Sequence, residues 1–278
     1  MLFAYQAGAT AGPKVSELGP GGAGNKHNLS AKAWSGGSYT GFNPNKYKAD
    51  DVAGKGQQIC IFCHTPHSAN VEGGAPLWNR TFSTATFSRY SSTTMKIRTD
   101  SSISSAAGYD AGWQPDGSSK LCLSCHDGIK SLWTLLGDRT IAMDSGAEDV
   151  ITGLASFEPT TNKMTTGHHP VSFRYDGTIP ADINALRSGD GYGYRSSTLS
   201  TYVKLDKNGK MQCTTCHNAH QNQTDDTDCY EGACQPTYRK RAPFWVYGAS
   251  GVAGTDRDDV CTSCHNIATP LPNSPMTP

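Results

Sequence analysis

Four copies of one short motif contain the residues of this sequence that are best suited to chemistry. Each copy reads Cys-x-x-Cys-His, the attachment signal for c-type haem. Two thiols one short turn apart can each form a thioether with a haem vinyl group, and the histidine that follows is placed to bind the iron. They predict four covalently bound haem c groups, which we number 1 to 4 with their motifs. The motifs are Cys60/Cys63/His64, Cys122/Cys125/His126, Cys213/Cys216/His217 and Cys261/Cys264/His265.

Other sites built on paired cysteines fit the pattern less well. Zinc ribbons, redox dithiols and disulfides all use such pairs. None of them needs a histidine directly after every pair, and here each of the four pairs has one. The pattern therefore favours haem over zinc, a redox dithiol or a disulfide.

The histidines outside the motifs are enough to complete the haem irons. The chain has nine histidines, and the four in the motifs are the proximal ligands. Haem iron often takes two axial side-chain ligands, so four more histidines would make every haem bis-histidine. Five distal candidates remain, namely His27, His67, His168, His169 and His220.

Two of these candidates follow a motif histidine by three residues. His67 follows His64 in CIFCHTPH, and His220 follows His217 in CTTCHNAH. Two imidazoles on one iron put their Cα atoms roughly 12 Å apart, whereas three residues of extended chain reach only about 10–11 Å. We therefore expect His67 and His220 each to bind the iron of a different haem, or none, and to bring haems into contact.

His168 and His169 are adjacent in the sequence. Neighbouring side chains of an extended segment point to opposite faces, and Pro170 restrains His169 to an extended conformation. The two histidines therefore serve two different haems, or one of them is not a ligand.

The remaining two cysteines do not form a fifth haem motif. Cys229 and Cys234 lie in TDCYEGACQ, where glutamine follows the second cysteine. Because c-type haem is attached outside the cytoplasm, the expected pairing is a local disulfide. The alternative is a labile metal site that includes Asp225, Asp226 and Asp228.

The composition predicts a fold with little regular structure. Only 36% of the residues are hydrophobic, and the chain has 30 glycines and 15 prolines. Side-chain burial alone would hardly offset the entropy of ordering such a chain, so we expect the haems to form the core. The predicted fold class is mostly irregular, loop-rich, with a few short α-helices and minimal β-structure. Residues 1–278 are predicted to form one tetrahaem domain, with an arm at 1–45, haems 1 and 2 in 46–150, and haems 3 and 4 in 151–278.

Local patterns place a few elements and exclude others. Helices are predicted to run into motif 1 from Asp50, through motif 2 from Ser118, and into motif 4 from Asp256. Asn208-Gly209 predicts a hairpin turn. No apolar run is long enough to cross a membrane, and the net charge of zero gives no indication of nucleic-acid binding.

At these residues the chain resembles the multihaem c-type cytochromes with doubled Cys-x-x-Cys-His motifs. The resembling pieces are HNLS, CIFCHTPH, APLWNR, CLSCHDG, HHPVSF, CTTCHNAH and CTSCH, in that order between His27 and His265. It is most similar to the tetrahaem extracellular cytochrome filaments, or nanowires, of metal-reducing bacteria. The resemblance implies bis-histidine haems stacked in a continuous chain, in protomers that polymerise end to end.

The resemblance also implies ligands, partners and a location. His169 is the family-type ligand, with His168 as a further candidate, and His27 is the expected donor to the adjacent protomer. The protein would be exported to the cell surface or beyond. It would accept electrons from periplasmic or outer-membrane cytochromes and pass them to extracellular acceptors.

Long-range electron transfer, without catalysis, is therefore the predicted function. A soluble periplasmic tetrahaem shuttle is the alternative. A multihaem reductase is the third reading, and it would need an iron with one free axial site. The histidine supply exceeds the demand, and no Cys-x-x-Cys-Lys variant occurs in the sequence.

Overall fold

Short elements joined by irregular backbone make up the described parts of this protein. The structure is a computed structural model, and it describes residues 27–31, 47–50, 52–74, 77–90, 108–161, 164, 168–175, 192–194, 203–220, 260–261 and 263–267. The predictions for Cys229, Cys234 and the aspartates at 225, 226 and 228, and most of the predicted arm at 1–45, lie outside these residues.

The described elements are few and short. The helices are α1 (Gly117–His126) and α2 (Cys213–Cys216), and the strands are β1 (Phe173–Arg174), β2 (Tyr192–Tyr194), β3 (Lys210–Met211) and β4 (His265–Ile267). The 3-10 helices are Val52–Gln57, Cys60–Phe62, Glu72–Gly74, Gly153–Ala155 and Pro159–Thr161. None of the described helices has the length and apolar character needed to span a bilayer.

Helix α1 confirms the predicted helix over motif 2 and ends with the motif. Asp116 before it has an extended backbone, and its carbonyl accepts the Lys120 N–H. At the other end, the Asp127 carboxylate accepts the backbone N–H groups of Ile129 and Lys130, which turns the chain away from the helix axis. Gly128 follows with φ +69°, a left-handed conformation that favours glycine after a helix.

The helix predicted to run into motif 1 does not form as expected. Before motif 1 the structure has the two separate 3-10 helices Val52–Gln57 and Cys60–Phe62. Glycine is a poor helix former, and a side chain at Gly56 would come within 2.0 Å of the Asp50 carbonyl oxygen. For motif 4, Val260 and Cys261 are helical, as predicted, whereas residues 256–259 lie outside the described residues. The chain then turns at Ser263 and Cys264, and β4 begins at His265.

Two antiparallel sheets of two strands each join distant parts of the chain. β1 pairs with β3, with Phe173 opposite Met211, and β2 pairs with β4, with Tyr194 opposite His265. The predicted turn at Asn208-Gly209 is confirmed: Gly209 has φ +71°, and the Asp206 carboxylate accepts the backbone N–H of Lys210. This turn directs β3 toward β1, and motif 3 begins shortly after the end of β3.

The main apolar cluster draws on both halves of the chain. Trp113, which precedes α1, donates its indole N–H to the Ser172 carbonyl at 2.9 Å, next to β1. The elements that carry motifs 2, 3 and 4 therefore pack around one core. Its buried members are Phe87, Tyr109, Trp113, Leu123, Met164, Val171, Phe173, Tyr175, Met211 and Cys264.

Candidate haem sites

The eight cysteines of the four motifs are not bonded to one another in the structure. Haem attachment would consume one thiol for each vinyl group. The histidines would supply the axial ligands of the iron.

Three pairs of imidazole rings stand out, because each joins a motif histidine to a histidine outside the motifs. A metal–imidazole bond is about 2.0–2.1 Å long, so two imidazoles on opposite sides of one metal ion have ring centroids roughly 6–6.5 Å apart. Ordinary aromatic pairs also span this range, so the distance alone would not decide. The three centroid distances nevertheless agree closely, and each pair combines one motif histidine with one histidine outside the motifs. They are His64 with His220 at 6.2 Å, His126 with His27 at 6.1 Å, and His265 with His169 at 6.3 Å.

Hydrogen bonds orient three of these rings with Nε2 available to a metal. A carbonyl oxygen can only accept, so a ring nitrogen bonded to one carries the proton. The proton on Nδ1 leaves the lone pair on Nε2, which is the arrangement found in metal-binding histidines. Nδ1 of His126 contacts the Ala155 carbonyl at 2.7 Å. The other two contacts join Nδ1 of His27 to the Ala219 carbonyl at 3.2 Å and Nδ1 of His169 to the Pro170 carbonyl at 2.9 Å.

The surroundings of four of the six rings favour the neutral imidazole, which metal ligation requires. Burial, followed by the proximity of His126, lowers the pKa of His27 to about 4. Burial also lowers the pKa values of His126, His169 and His265. These imidazoles are therefore unprotonated at neutral pH, each with a lone pair to offer.

Each histidine pair supplies the number of protein ligands that a haem iron can take. Haem iron binds four nitrogens of the porphyrin and up to two axial side chains, whereas a structural zinc site needs four side-chain ligands. In the part of the chain that the structure describes, no group of three or more His, Cys, Asp or Glu side chains is arranged to hold a metal ion.

Motifs 1 and 2 lie side by side. Burial raises the pKa of the Cys63 thiol to about 12, and the next largest cause is Cys125 of motif 2. The guanidinium of Arg80 acts against the effect of burial at both thiols, because it lowers the pKa values of Cys63 and Cys125. One cation is therefore close to a sulfur of each motif.

The series continues through motifs 3 and 4. Cys122 of motif 2 donates a hydrogen bond to the sulfur of Cys213 in motif 3, which raises the pKa of the donor and lowers that of the acceptor. Burial raises the pKa of Cys216 to about 12, with Cys264 of motif 4 as the next cause. Each motif thus lies beside the next one in the chain.

One buried arginine connects motifs 1 and 2, in what we call the Arg80 joint. Arg80 is 1% exposed. It donates to the carbonyl of Phe62 at 3.4 Å and to that of Ser124 at 3.2 Å. These two residues occupy equivalent positions, each directly before the second cysteine of its motif. Arg80 also donates to the carbonyls of Ser131 at 2.5 Å and Leu132 at 3.1 Å.

Asn79 completes the attachment of this segment to motif 1. The Asn79 side chain is fully buried and donates to the Ile61 carbonyl at 2.6 Å. Its backbone N–H donates to the Cys63 carbonyl at 2.9 Å, and its side-chain oxygen accepts from Arg139 at 2.8 Å. Residues 79 and 80 therefore hold three consecutive carbonyls of motif 1 in place.

A second polar cluster connects motifs 2 and 3, and we call it the Gln212 joint. Gln212, 2% exposed, donates to the carboxylates of Asp116 at 2.8 Å and Asp206 at 2.9 Å. The side-chain carbonyl oxygen of Gln212 accepts a hydrogen bond from the Ser119 hydroxyl of α1 at 2.6 Å. The cluster also includes Lys210, which donates to Asp110 at 2.5 Å and to Asp116 at 2.6 Å.

The structure brings some of the predicted distal histidines next to motif histidines, and their role as haem ligands stays a prediction. His220 lies beside His64 and not beside its own motif histidine, as its short reach predicts. His169 faces the motif histidine His265, and the His168 ring lies 3.9 Å from that of Phe157. His67 is exposed, with Nδ1 3.4 Å from the Ser68 hydroxyl.

The ring of His27 contacts residues of its own chain. It faces His126, and its Nδ1 contacts the Ala219 carbonyl near motif 3. The donation of His27 to an adjacent protomer stays a prediction. The residues that sequence reasoning missed are Asn79, Arg80 and Gln212, because their partners are distant main-chain atoms or side chains that no local pattern connects.

Comparisons with protein families and with curated proteins give no match. No protein-family model matches the chain, and no curated protein matches it. The haem interpretation therefore depends on the motifs and on the geometry of the histidine pairs.

Proposed function

We propose that this protein transfers electrons through four covalently attached haem c groups with two histidine ligands each. The observation that carries the proposal is the composition and spacing of the three histidine pairs, at 6.1, 6.2 and 6.3 Å. When bound, each haem supplies an iron that gains and loses one electron. The cysteines hold the haems, and the histidine pairs occupy both axial positions.

The pairs suggest a ligand for each haem. Haem 1 would have His64 and His220, haem 2 would have His126 and His27, and haem 4 would have His265 and His169. The one motif histidine left is His217, which would bind haem 3. Its second ligand would be one of the two remaining histidines, His67 or His168. With both axial positions filled by protein, no iron has room for a substrate, and electron transfer is favoured over reductase chemistry.

The environment of His67 supports self-association through this segment. His67 is exposed, and two apolar side chains of the same segment are also exposed, Val71 by 84% and Leu77 by 47%. Large exposed apolar side chains near one another mark interaction sites. We therefore propose that His67, in place of His27, is donated to a second copy of this chain in an extracellular filament.

Haem content and spin state test the central proposal. Protein matured with a c-type haem attachment system should carry four haems per chain by mass and by the pyridine haemochrome assay. Its visible spectrum should be low-spin and should not change on addition of cyanide, carbon monoxide or nitrite. The matched control replaces Cys122 and Cys125 with Ala, which should leave three haems. A zinc-containing product without haem, or a haem that binds these ligands, would contradict the proposal.

Two histidine variants separate the filament from the soluble shuttle. His67→Ala should convert one haem to high spin and abolish filaments in electron micrographs. His27→Ala should convert one haem to high spin while filaments persist. If the unmodified protein is monomeric with four low-spin haems, the periplasmic shuttle replaces the filament proposal, and the electron-transfer role is unaffected.

A further inference from the structure

A permanent positive charge is buried between the first two haem motifs. Arg80 is 1% exposed, and all the hydrogen bonds that the structure gives it go to main-chain carbonyls. Among the described residues, no carboxylate lies within ion-pair distance of its guanidinium. Arginine is charged at every pH at which proteins are folded. Within the described residues, the groups in direct contact with this cation are therefore carbonyl dipoles.

The contacts of this cation are shared between two motifs. Its bonds to Phe62 and Ser124 reach the residue before the second haem-binding cysteine in motif 1 and in motif 2. In a buried environment a charge acts more strongly on its neighbours than it does in water. Its field therefore falls on the attachment points of haems 1 and 2 together.

Other charges near the motifs make the two ends of the series unequal. The carboxylate of Asp127, fully buried directly after His126, opposes Arg80 at motif 2. Near motif 3, the Gln212 joint contains more negative than positive groups. It has one ammonium group, that of Lys210, and the three carboxylates of Asp110, Asp116 and Asp206. The electrostatic environment thus becomes more negative from motif 1 to motif 3.

We propose that Arg80 is a tuning residue that raises the reduction potentials of haems 1 and 2 above those of haems 3 and 4. Reduction adds an electron to the haem, and a nearby fixed cation stabilises the reduced form, since local charge is one determinant of such potentials. The effect is larger at haem 1 than at haem 2, where Asp127 opposes it. Electrons then reside preferentially at the motif 1 end of the protein. This inference rests on the proposed function.

Three variants of the full-length haem protein separate charge from packing. Arg80→Gln removes the charge and some of the carbonyl contacts, whereas Arg80→Lys disturbs the same contacts but keeps a cation. Arg139→Gln is the matched control, because Arg139 contacts Asn79 beside Arg80 but is exposed. A spectroelectrochemical titration of Arg80→Gln should show two of the four midpoint potentials shifted downward. Arg80→Lys should shift them less, and Arg139→Gln should leave all four unchanged.

The unmodified protein gives a second test, which does not depend on whether a variant folds. In a reductive NMR titration, the paramagnetically shifted ring signals of His64 and His126 should disappear before those of His217 and His265. The opposite order, or four unchanged potentials in a folded Arg80→Gln protein, would overturn the inference. Equal downward shifts in Arg80→Gln and Arg80→Lys would show that Arg80 acts by position alone and would also overturn it. Protein that carries no haem would refute the proposed function instead, a result that haem counting detects before any titration.

Discussion

Two polar joints connect neighbouring Cys-x-x-Cys-His motifs, and they differ in how they use charge. The Arg80 joint uses one cation and main-chain carbonyls from motif 1, motif 2 and the segment after α1. The Gln212 joint uses side chains on both sides, with one ammonium group against three carboxylates. The first joint contains a single buried positive charge. In the second joint, each charged group contacts either a group of opposite charge or the side-chain amide of Gln212.

The difference shows how each joint fixes its haem motifs. Carbonyls of irregular backbone cannot satisfy one another, so a guanidinium with five donors can gather several of them at one point. Motif 1 lacks a long helix, and the Arg80 joint provides hydrogen bonds that a helix would otherwise supply. Motif 2 lies on α1, whose backbone is already paired, so side chains from α1 and β3 are free to form the Gln212 joint.

The largest expected effect comes from removal of the Arg80 side chain. Arg80→Met should lower the free energy of unfolding by about 3 kcal/mol or more, because several buried carbonyls lose a charged donor. Urea unfolding of the haem-containing protein measures this effect. The matched Arg139→Gln variant, which removes an exposed arginine and one donor to the Asn79 side-chain oxygen, should cost less, about 1 kcal/mol. Equal losses in the two variants would refute the importance of the buried contacts.

Conversion of the amide in the other joint to a carboxylate should have the next largest effect. Gln212→Glu keeps the shape of the side chain but turns the Nε2 donor into an oxygen that faces Asp116 and Asp206. We expect a loss of about 2–3 kcal/mol at neutral pH. The loss should shrink as pH falls and the carboxylates take up protons, which Gln212→Ala would not show. A pH-independent loss in Gln212→Glu would contradict the assigned hydrogen bonds.

Removal of the ammonium group tests how the same joint responds to acid. Burial raises the pKa of Asp116, but hydrogen bonds from Lys210 and Gln212 outweigh it and hold the pKa below the ordinary value of 3.8. A lowered folded pKa stabilises the protein above the unfolded value, and this contribution is lost as pH falls through the folded pKa. Lys210→Met should therefore move the start of acid unfolding to higher pH.

The magnitude of this third effect is modest, because the Asp116 side chain is 41% exposed and solvent screens its ion pair. At neutral pH we expect a loss of about 1 kcal/mol. The matched control is Lys207→Met, an exposed lysine on the turn before β3. Acid titration followed by far-ultraviolet circular dichroism should separate the two variants. Identical acid midpoints would show that the contacts of Lys210 with Asp110 and Asp116 do not affect stability.

The two joints also show what the sequence can predict. The motifs, the helix over motif 2 and the Asn208-Gly209 turn depend on residues that are close in sequence, and local patterns predict them. Because three residues of extended chain are too short for His217 and His220 to bind one iron, the sequence predicts that His220 does not share an iron with His217. In the structure the His220 ring lies next to that of His64. The haem groups themselves remain a prediction from the motifs.

The contacts of Arg80 and His27 could not be predicted in this way. Arg80 binds carbonyls up to 52 residues away, and a carbonyl is present at every residue, so no residue type marks the partner. The position of His27 is fixed by the Ala219 carbonyl, 192 residues away. The helix predicted before motif 1 was wrong because the Asp50 backbone packs against Gly56, a contact between main-chain atoms that the side-chain pattern does not contain.

The smallest expected effect tests whether the Gln212 joint depends on its buried members alone. Ser118 and Ser119 are neighbours in α1, and both bond to the motif 3 segment. The exposed Ser118 hydroxyl contacts that of Thr214 at 2.5 Å, whereas the fully buried Ser119 hydroxyl donates to Gln212 and accepts the Cys213 N–H at 3.0 Å. Ser118→Ala should cost less than about 0.5 kcal/mol. Ser119→Ala should cost about 1 kcal/mol, since it removes the acceptor of the Cys213 N–H and leaves the Gln212 side-chain oxygen with Ser172 as its remaining donor. If thermal unfolding gives equal losses, the joint extends to the surface, and its contrast with the fully buried Arg80 joint is weaker than the geometry indicates.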